Sequence, residues 1–369
     1  MILKELITYL EASVPPAYQE SYDNSGLQVG DENSKLDSVL LSLDITEEVI
    51  DEAEQKKCGL VISHHPLIFQ PLKSIGTASY VERIIRKAIQ KDISLYSMHT
   101  NLDIISGGVS YRMAEKMGLT NTEVMLPLGG RLLKLVVFVP LSHAGKVRQA
   151  IFDAGAGHIG NYDMCSFNVR GEGTFRGGTG SDPFTGEPGK EHTEEEVRIE
   201  SVLPAHLKSI VLRSMIDSHP YEEVAYDLYA IENRLPGAGL GCVGDLAESV
   251  TESDLISMLS DVFGSACIRH SKPRGKKIKR VAVMGGSGGS YVDKAISSGA
   301  EAYVTADVKY HSFFDADKQI LLADIGHYES EKPSLEILHE LITKKFPKFA
   351  VRFSEINTNP VNYSQVWKK

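Results

Sequence analysis

The sequence predicts an α/β fold in which two α/β halves form one discontinuous domain, with a ferredoxin-like domain inserted between them. Three observations predict it: apolar runs alternate with helical patterns in both outer thirds, the order of elements changes in the middle third, and glycine and proline cluster at the two borders. The predicted segments are residues 1–128, 129–236 and 237–369.

In the first third, short apolar runs bounded by polar residues alternate with segments of helical periodicity. Strands are expected at residues 38–44, 60–63 and 93–98, and helices at 46–57, 79–91 and 106–118. The last third repeats the alternation, with helices at 252–263, 291–298 and 330–345 and strands at 280–284, 302–305 and 320–323. This pattern is typical of βαβ units around a mostly parallel sheet.

The middle third has the order β-α-β-β-α-β of a ferredoxin-like unit. Its strands are expected at residues 132–139, 164–170, 197–203 and 224–230, and its helices at 145–153 and 205–218. Residues 171–190 are rich in Gly, Ser, Thr and Pro and are expected to form a long mobile loop.

Composition narrows the function classes. The 369 residues are 42% hydrophobic and 24% charged, as in ordinary soluble proteins. The net charge of −10 argues against nucleic acid as a partner, and we interpret the single basic run, residues 272–280, as a solvated connection. The sequence shows no membrane-length apolar run, no signal-peptide pattern and no CxxC spacing, so we expect a cytoplasmic protein without a membrane partner.

Chemically active residues follow the predicted strands, where ligands bind in doubly wound sheets. The candidate metal ligands are His64, His65, Asp103, His327 and Glu331. Adjacent strand residues point to opposite faces, so His64 and His65 can share a site only if the chain turns there, and Pro66 favours such a turn. The alternative is a pair of ordinary loop histidines.

His327 and Glu331 are four residues apart and share one face of a helix that begins early. Imidazole and carboxylate together suit zinc, iron or manganese, and a carboxylate can bridge two ions. These two side chains are equally typical of an ordinary helix start. His99 and His311 are candidate proton carriers. The loop containing Gly285, Gly286, Ser287 and Gly288 is a candidate anion site, with a simple tight turn as the alternative.

Successive motifs resemble those of the NIF-three-like family, also called GTP cyclohydrolase I type 2. They are Asp23 to Gly30, Ser63 to Pro66, His99 to Asp103, Gly285 to Gly288, Asp307 to His311 and Asp324 to Glu331. The resemblance implies two divalent metal ions per subunit and a homohexameric toroid. In the family pattern His65 and Asp103 hold one ion, His64 and His327 hold the other, and Glu331 bridges them.

The resemblance also implies a function. It points to a metal-dependent hydrolase acting on a small molecule, either by hydrolytic ring opening of GTP with formate release or on a related nucleotide or phosphoester. The middle segment, which includes His219 to Val224, is similar to CutA and PII-like proteins. Two alternatives stay open: a metal storage or delivery protein, and a regulator that senses a ligand through the PII-like domain.

Overall fold

The computed structural model describes residues 1–364 of the chain. Within that range the fold is mixed α/β, as the alternating pattern predicts, and the strands form three sheets. The chain packs into two compact units, the first made of residues 1–126 with those from 237 onward and the second of Pro127–Pro236. None of the helices in residues 1–364 has the length and apolar character needed to cross a membrane.

The bounds of the elements are as follows. The α-helices are α1 Leu3–Ser13, α2 Glu47–Gln55, α3 Tyr80–Gln90, α4 Thr100–Ile104, α5 Val109–Lys116, α6 Ala144–Asp153, α7 Lys208–Ser218, α8 Glu252–Phe263, α9 Val292–Ser297, α10 Ser312–Asp315, α11 His327–Glu331 and α12 Ser334–Lys345. The strands are β1 Gly26–Val29, β2 Ser38–Ser42, β3 Leu60–Ser63, β4 Ser94–Ser97, β5 Thr120–Pro127, β6 Leu132–Pro140, β7 Phe167–Arg176, β8 Glu191–Pro204, β9 Tyr226–Ile231, β10 Gly239–Thr251, β11 Arg269–His270, β12 Lys277–Val283, β13 Ala302–Thr305, β14 Leu321–Asp324 and β15 Ala350–Phe353.

The first sheet has the strand order β1-β4-β3-β2-β15, and the four adjacent strands β4, β3, β2 and β15 are parallel. Successive residues of its central strands enter different cores: Val39 and Leu41 pack with α1 and α12, whereas Leu40 packs with α2 and α3. The central strands are buried on both faces because helices cover both, which is why they read as continuous apolar runs in the sequence.

The second sheet has the order β11-β14-β13-β12-β10-β5, with β12, β13 and β14 parallel. Residues of α5 and α8 pack on one face and residues of α9 on the other. The long strand β10 was not predicted, because its run of small residues, including Gly241 and Gly244, lacks the β-branched and aromatic pattern of a typical strand. The carboxyl ends of β3, β4, β12, β13 and β14 lead into the candidate site residues.

The second unit contains β6, α6, β7, β8, α7 and β9 in that order along the chain. Its sheet is antiparallel where β6 pairs with β8 and β9 and where β7 pairs with β8, and the strand order is β7-β8-β6-β9. The expected loop at 171–190 is shorter than predicted, because β7 continues to Arg176 and leaves residues 177–190 outside the hairpin strands.

The prediction that residues 272–280 form a solvated connection is wrong in part. Residues from Lys277 onward belong to β12, and Arg274 is buried in an ion pair with Glu252. The Glu252 carboxylate also accepts hydrogen bonds from the backbone N–H groups of Arg274 and Gly275. A buried carboxylate therefore secures this basic loop to the start of α8.

Candidate metal centre

The five predicted ligands lie close together in the first unit. His64 and His65 follow β3, Asp103 lies in α4 just after β4, and α11 begins at His327 and ends at Glu331. The early helix start expected from the spacing of His327 and Glu331 is present. The ligand atoms form close groups, within 4.8 Å of one another, that could hold a metal ion: His64 with Asp103 and Glu331, His65 with His327 and Glu331, and His64 with His65 and His99.

The turn after β3 brings the two adjacent histidines to one place. The backbone N–H groups of His64 and His65 donate to the carbonyls of Ser42 and Leu43, so the pairing with β2 continues past the end of β3. The Ser63 hydroxyl donates to the His65 carbonyl at 2.7 Å. The two imidazole centroids lie 5.2 Å apart. Both rings therefore serve one cluster, as the Ser-His-His-Pro sequence suggested.

The fully buried His64 presents a lone pair to two carboxylates. Its Nδ1 donates to the Met98 carbonyl at 2.8 Å, because a carbonyl can only accept, and this leaves Nε2 as the unprotonated nitrogen of the neutral ring. Nε2 lies 3.7 Å from Asp103 Oδ1 and 3.8 Å from Glu331 Oε1. Among the described residues, neither His64 Nε2 nor Asp103 Oδ1 has a hydrogen-bond partner.

His64 Nε2 and Asp103 Oδ1, two acceptors without a donor, lie with Glu331 Oε1 in one group, and such a group fits a cation. Two ligands of one zinc-like ion, each about 2.0–2.2 Å from the metal, are themselves separated by roughly 3–4 Å. The His64, Asp103 and Glu331 distances fall in that range. A buried group of this kind is costly unless it is paired or binds a metal.

The second group surrounds the other oxygen of Glu331. Glu331 Oε2 lies 2.7 Å from His65 Nε2 and 2.8 Å from His327 Nε2, and these two nitrogens are 3.1 Å apart. Glu331 therefore presents Oε1 to one group and Oε2 to the other, which is the geometry of a bridging carboxylate.

The grouping of ligands differs from the pairing implied by the family pattern. That pattern pairs His65 with Asp103 and His64 with His327. In the structure His64 lies with Asp103, and His65 lies with His327. The cause is the direction of the two rings. His64 Nδ1 is hydrogen-bonded to the Met98 carbonyl, which directs Nε2 toward Asp103 in α4, whereas His65 Nε2 is directed toward Glu331 in α11.

Outer carboxylates orient two of the imidazoles. Asp44 Oδ1 accepts from His65 Nδ1 at 2.7 Å, and Asp307 Oδ2 accepts from His327 Nδ1 at 2.8 Å. A carboxylate on the far nitrogen of a histidine directs the near nitrogen to a metal and increases its basicity. The sequence analysis missed these roles, although both aspartates follow strands and one lies in a family motif.

Burial and neighbouring charges shift the pKa values of the three histidines in the cluster. Burial would lower the pKa of His65, but hydrogen bonds to Asp44 and Glu331 outweigh it and raise that pKa to about 9. The same balance, with Asp307 and Glu331 as partners, raises the pKa of His327 to about 11. Complete burial lowers the pKa of His64. The centre thus favours positive charge beside Glu331.

His99 reaches the cluster, whereas His311 does not. A ring nitrogen of His99 belongs to a close group with His64 and His65, and its Nδ1 donates to Asp23 Oδ1 at 2.8 Å. Burial would raise the pKa of Asp23, but hydrogen bonds from His99 and its neighbours outweigh it and lower that pKa. His311 is exposed, and its ring contacts Tyr310 and Phe314.

The glycine loop after β12 makes room for the bridging carboxylate. A Cβ at Gly286, where φ is +62°, would lie 2.0 Å from Glu331 Oε1. Three of the four N–H groups from Gly285 to Gly288 donate to atoms of the protein: Gly285 to the Ser110 hydroxyl, Gly286 to the Ser330 hydroxyl, and Gly288 to the Gly286 carbonyl.

The cluster opens into a cavity of about 420 Å³. His99, Asp103, His327 and Glu331 line its inner wall. The rest of the wall includes aromatic side chains and the loop after β12; the aromatic residues are Tyr22, Phe69 and Tyr291. A small molecule in this cavity would contact both groups of candidate metal ligands, through Asp103 and through His327. Catalytic metal sites are open to a substrate in this way, whereas structural metal sites are closed.

Known proteins are similar to this chain over nearly its full length. The family model of Duf34/NIF3 (NGG1p interacting factor 3) matches residues 1–360. A Bacillus subtilis (strain 168) protein named GTP cyclohydrolase 1 type 2 homolog is 40% identical over 370 residues, covering 98% of each chain, and a Halalkalibacterium halodurans protein with the same name is 40% identical over 363 residues, covering 97% of this chain and 98% of that protein. The crystal structure of a Bacillus cereus protein related to NIF3 has a TM-score of 0.84 at 39% identity and covers 99% of each chain.

Proposed function

Because the chain belongs to the Duf34/NIF3 family, we propose that it binds two divalent metal ions and uses them as a hydrolase similar to GTP cyclohydrolase I type 2. One observation carries the proposal: the two oxygens of the buried Glu331 face two separate donor groups. His64 and Asp103 complete the first group, and His65 and His327 complete the second.

The donor set defines the chemistry of the ions. Three imidazoles and two carboxylates, with Glu331 shared, suit zinc, iron or manganese. Two such ions, when bound, lower the pKa of water to near neutrality and stabilise charge on reacting oxygens. Asp44 and Asp307 hold the imidazoles of His65 and His327 in the tautomer that leaves Nε2 for the metal.

The cavity wall supports a nucleotide substrate. Tyr22 and Phe69, whose ring centroids are 6.2 Å apart, line the cavity that reaches Asp103 and His99. Aromatic side chains stack on the planar bases of nucleotides. We propose hydrolytic ring opening of the guanine of GTP with release of formate, with hydrolysis of a related nucleotide or phosphoester as the broader class. His99, which is oriented by Asp23, acts as the general acid or base that transfers protons in this hydrolysis.

We extend the proposal to domain organisation and assembly. The first unit is the metal-binding domain, interrupted by a ferredoxin-like, PII-like insert, and the chain forms a homohexamer. The β-α-β-β-α-β order and the strand order of the second unit support the insert. Exposed apolar side chains in residues 67–90, among them Ile75, Tyr80 and Ile89, support association of subunits.

Elemental analysis of the anaerobically purified full chain tests the metal centre. We expect two divalent ions per chain in the wild type and in Glu248→Ala, an exposed control, and loss of metal in Asp103→Ala and Glu331→Ala. Unchanged metal content in both ligand variants would rule out the centre. Formate release from GTP then tests the hydrolase. A metal-loaded protein that releases no product from GTP, or from a nucleotide and phosphoester panel, in zinc, iron and manganese forms would support metal storage instead.

A further inference from the structure

A second cavity lies within the second unit and involves none of the metal-centre residues. Its volume is about 470 Å³, within the range of small-molecule sites. Its wall is built from the end of β7, the loop 177–190, and residues 221–225. The Glu222 carboxylate accepts a hydrogen bond from the Asp182 N–H at 3.1 Å, which holds the loop beside the segment after α7.

Three aromatic rings form much of this wall. The Phe175 and Tyr221 centroids are 6.1 Å apart, and the Phe184 and Tyr221 centroids are 6.2 Å apart. Rings grouped around a space at such distances can present their electron-rich faces to one small guest. A cation within about 6 Å of a ring centroid is attracted by the ring quadrupole, and cages of two or three rings recognise alkylated ammonium groups.

The charged residues of the wall are predominantly acidic. Among the described lining residues the carboxylates are Glu172, Glu196, Glu222 and Glu223, and the one guanidinium is that of Arg176. The cavity therefore has a negative potential, which repels anionic ligands and attracts cations.

The strand register places a carboxylate beside these rings. In the β7–β8 ladder, Gly171 stands opposite Glu196 and Phe175 stands opposite His192, so the side chains of Phe175 and Glu196 lie on the same face of the hairpin. Glu196 Oε1 accepts a hydrogen bond from the Tyr221 hydroxyl at 2.9 Å. A carboxylate therefore lies at the edge of the aromatic group, where it can serve as the counter-charge of a bound cation.

We propose that this cavity of the second unit binds an organic cation of the alkylammonium class. The rings Phe175, Phe184 and Tyr221 contact the alkylated nitrogen, and Glu196 supplies the counter-charge. A neutral apolar ligand of the same shape would remove the wall carboxylates from water without compensation. The cavity thus gives the second unit a ligand chemistry distinct from that of the metal centre.

Isothermal titration calorimetry of the full chain with choline as the probe tests the proposal. We expect choline to bind and to bind at least about 5-fold more tightly than its uncharged carbon isostere, in which a tert-butyl group replaces the trimethylammonium group. Succinate should show no binding. Added salt should weaken choline binding, because salt screens the carboxylates.

Two substitutions locate the binding site. Phe184→Ala and Glu196→Gln should each weaken choline binding roughly 3- to 10-fold, the range of one cation–π or one charge contact at a partly exposed site. Phe167→Ala is the matched control, since Phe167 is an exposed ring on the same strand β7 and does not line the cavity. It should bind choline as the wild type does.

Several results would overturn the proposal. They are no binding of choline, equal binding of choline and its neutral isostere, tighter binding of succinate, or choline affinity unchanged in both cavity variants. Phe184 is half exposed at 51%, so its truncation leaves no buried void and the variant should fold. The far-ultraviolet circular dichroism spectrum and thermal midpoint of each variant confirm folding before titration.

Discussion

Replacing Gly286 with alanine should weaken metal binding at the proposed centre, although no ligand residue is substituted. The new Cβ would lie 2.0 Å from Glu331 Oε1, whereas real Cβ atoms essentially never approach another heavy atom within 3.0 Å. The Glu331 carboxylate must therefore shift by at least about 1 Å, which exceeds several-fold the tolerance of about 0.2 Å in metal–ligand distances. Because Glu331 faces both donor groups, both ions should be affected.

The matched control is Gly299→Ala. Gly286 and Gly299 have similar positive φ values of +62° and +77°, but a Cβ at Gly299 meets nothing within 4 Å. Alanine in this left-handed region costs about 1–2 kcal/mol at either position, so both variants should lose similar backbone stability. Any difference between them in metal binding then measures the displacement of Glu331.

Metal content by elemental analysis and affinity by chelator competition give the readout. We expect two ions per chain in Gly299→Ala and one or none in Gly286→Ala, with an affinity at least about 100-fold weaker, since loss of a ligand exceeds the 10- to 100-fold effect of an outer partner. Equal metal content and affinity in the two variants, both folded, would refute the argument that this loop makes room for the bridging carboxylate.

Two further variants test the outer carboxylates and the basic loop. Asp307→Asn should weaken metal affinity roughly 10- to 100-fold, because the amide no longer fixes the tautomer of His327. Chelator competition measures the affinity of this variant and of the exposed control Asp315→Asn. Equal affinities in the two variants would contradict the role of Asp307. Glu252→Gln should lower the free energy of unfolding by about 1–3 kcal/mol at pH 7 relative to the exposed control Glu248→Gln, measured by urea unfolding. Burial would raise the pKa of Glu252, but hydrogen bonds from the backbone of Arg274 and Gly275 outweigh it and lower that pKa. The stabilisation is therefore present above the unfolded pKa of about 4.3 and is lost as the pH falls from there through the folded pKa. The stability difference between wild type and Glu252→Gln should shrink by pH 3, and a constant difference would contradict this.

The elements with continuous apolar runs could be predicted from the sequence, and those dependent on tertiary partners could not. The buried strands β2, β3 and β13 and the helix α8 stand within two residues of the predicted bounds. The strand β15 escaped prediction because only one of its four residues is more than marginally buried, and pairing with β2 rather than side-chain pattern makes it a strand. The first part of the loop expected at 171–190, up to Arg176, belongs to β7, since ladder pairing with β8 offset the weak strand propensity of Gly171 and Gly173.

The convergence of the five candidate ligand residues could be predicted, because each follows a strand and stands in a family motif, but their grouping could not. Whether His64 faces Asp103 or His327 depends on the direction of one ring, which the Met98 carbonyl of the neighbouring strand sets through Nδ1. The outer aspartates depend on the same kind of information, since Asp307 meets His327 only because β13 and β14 are adjacent and parallel. A strand end in the sequence thus indicates which side chains reach the edge of a sheet, while the order of strands decides which of them lie together.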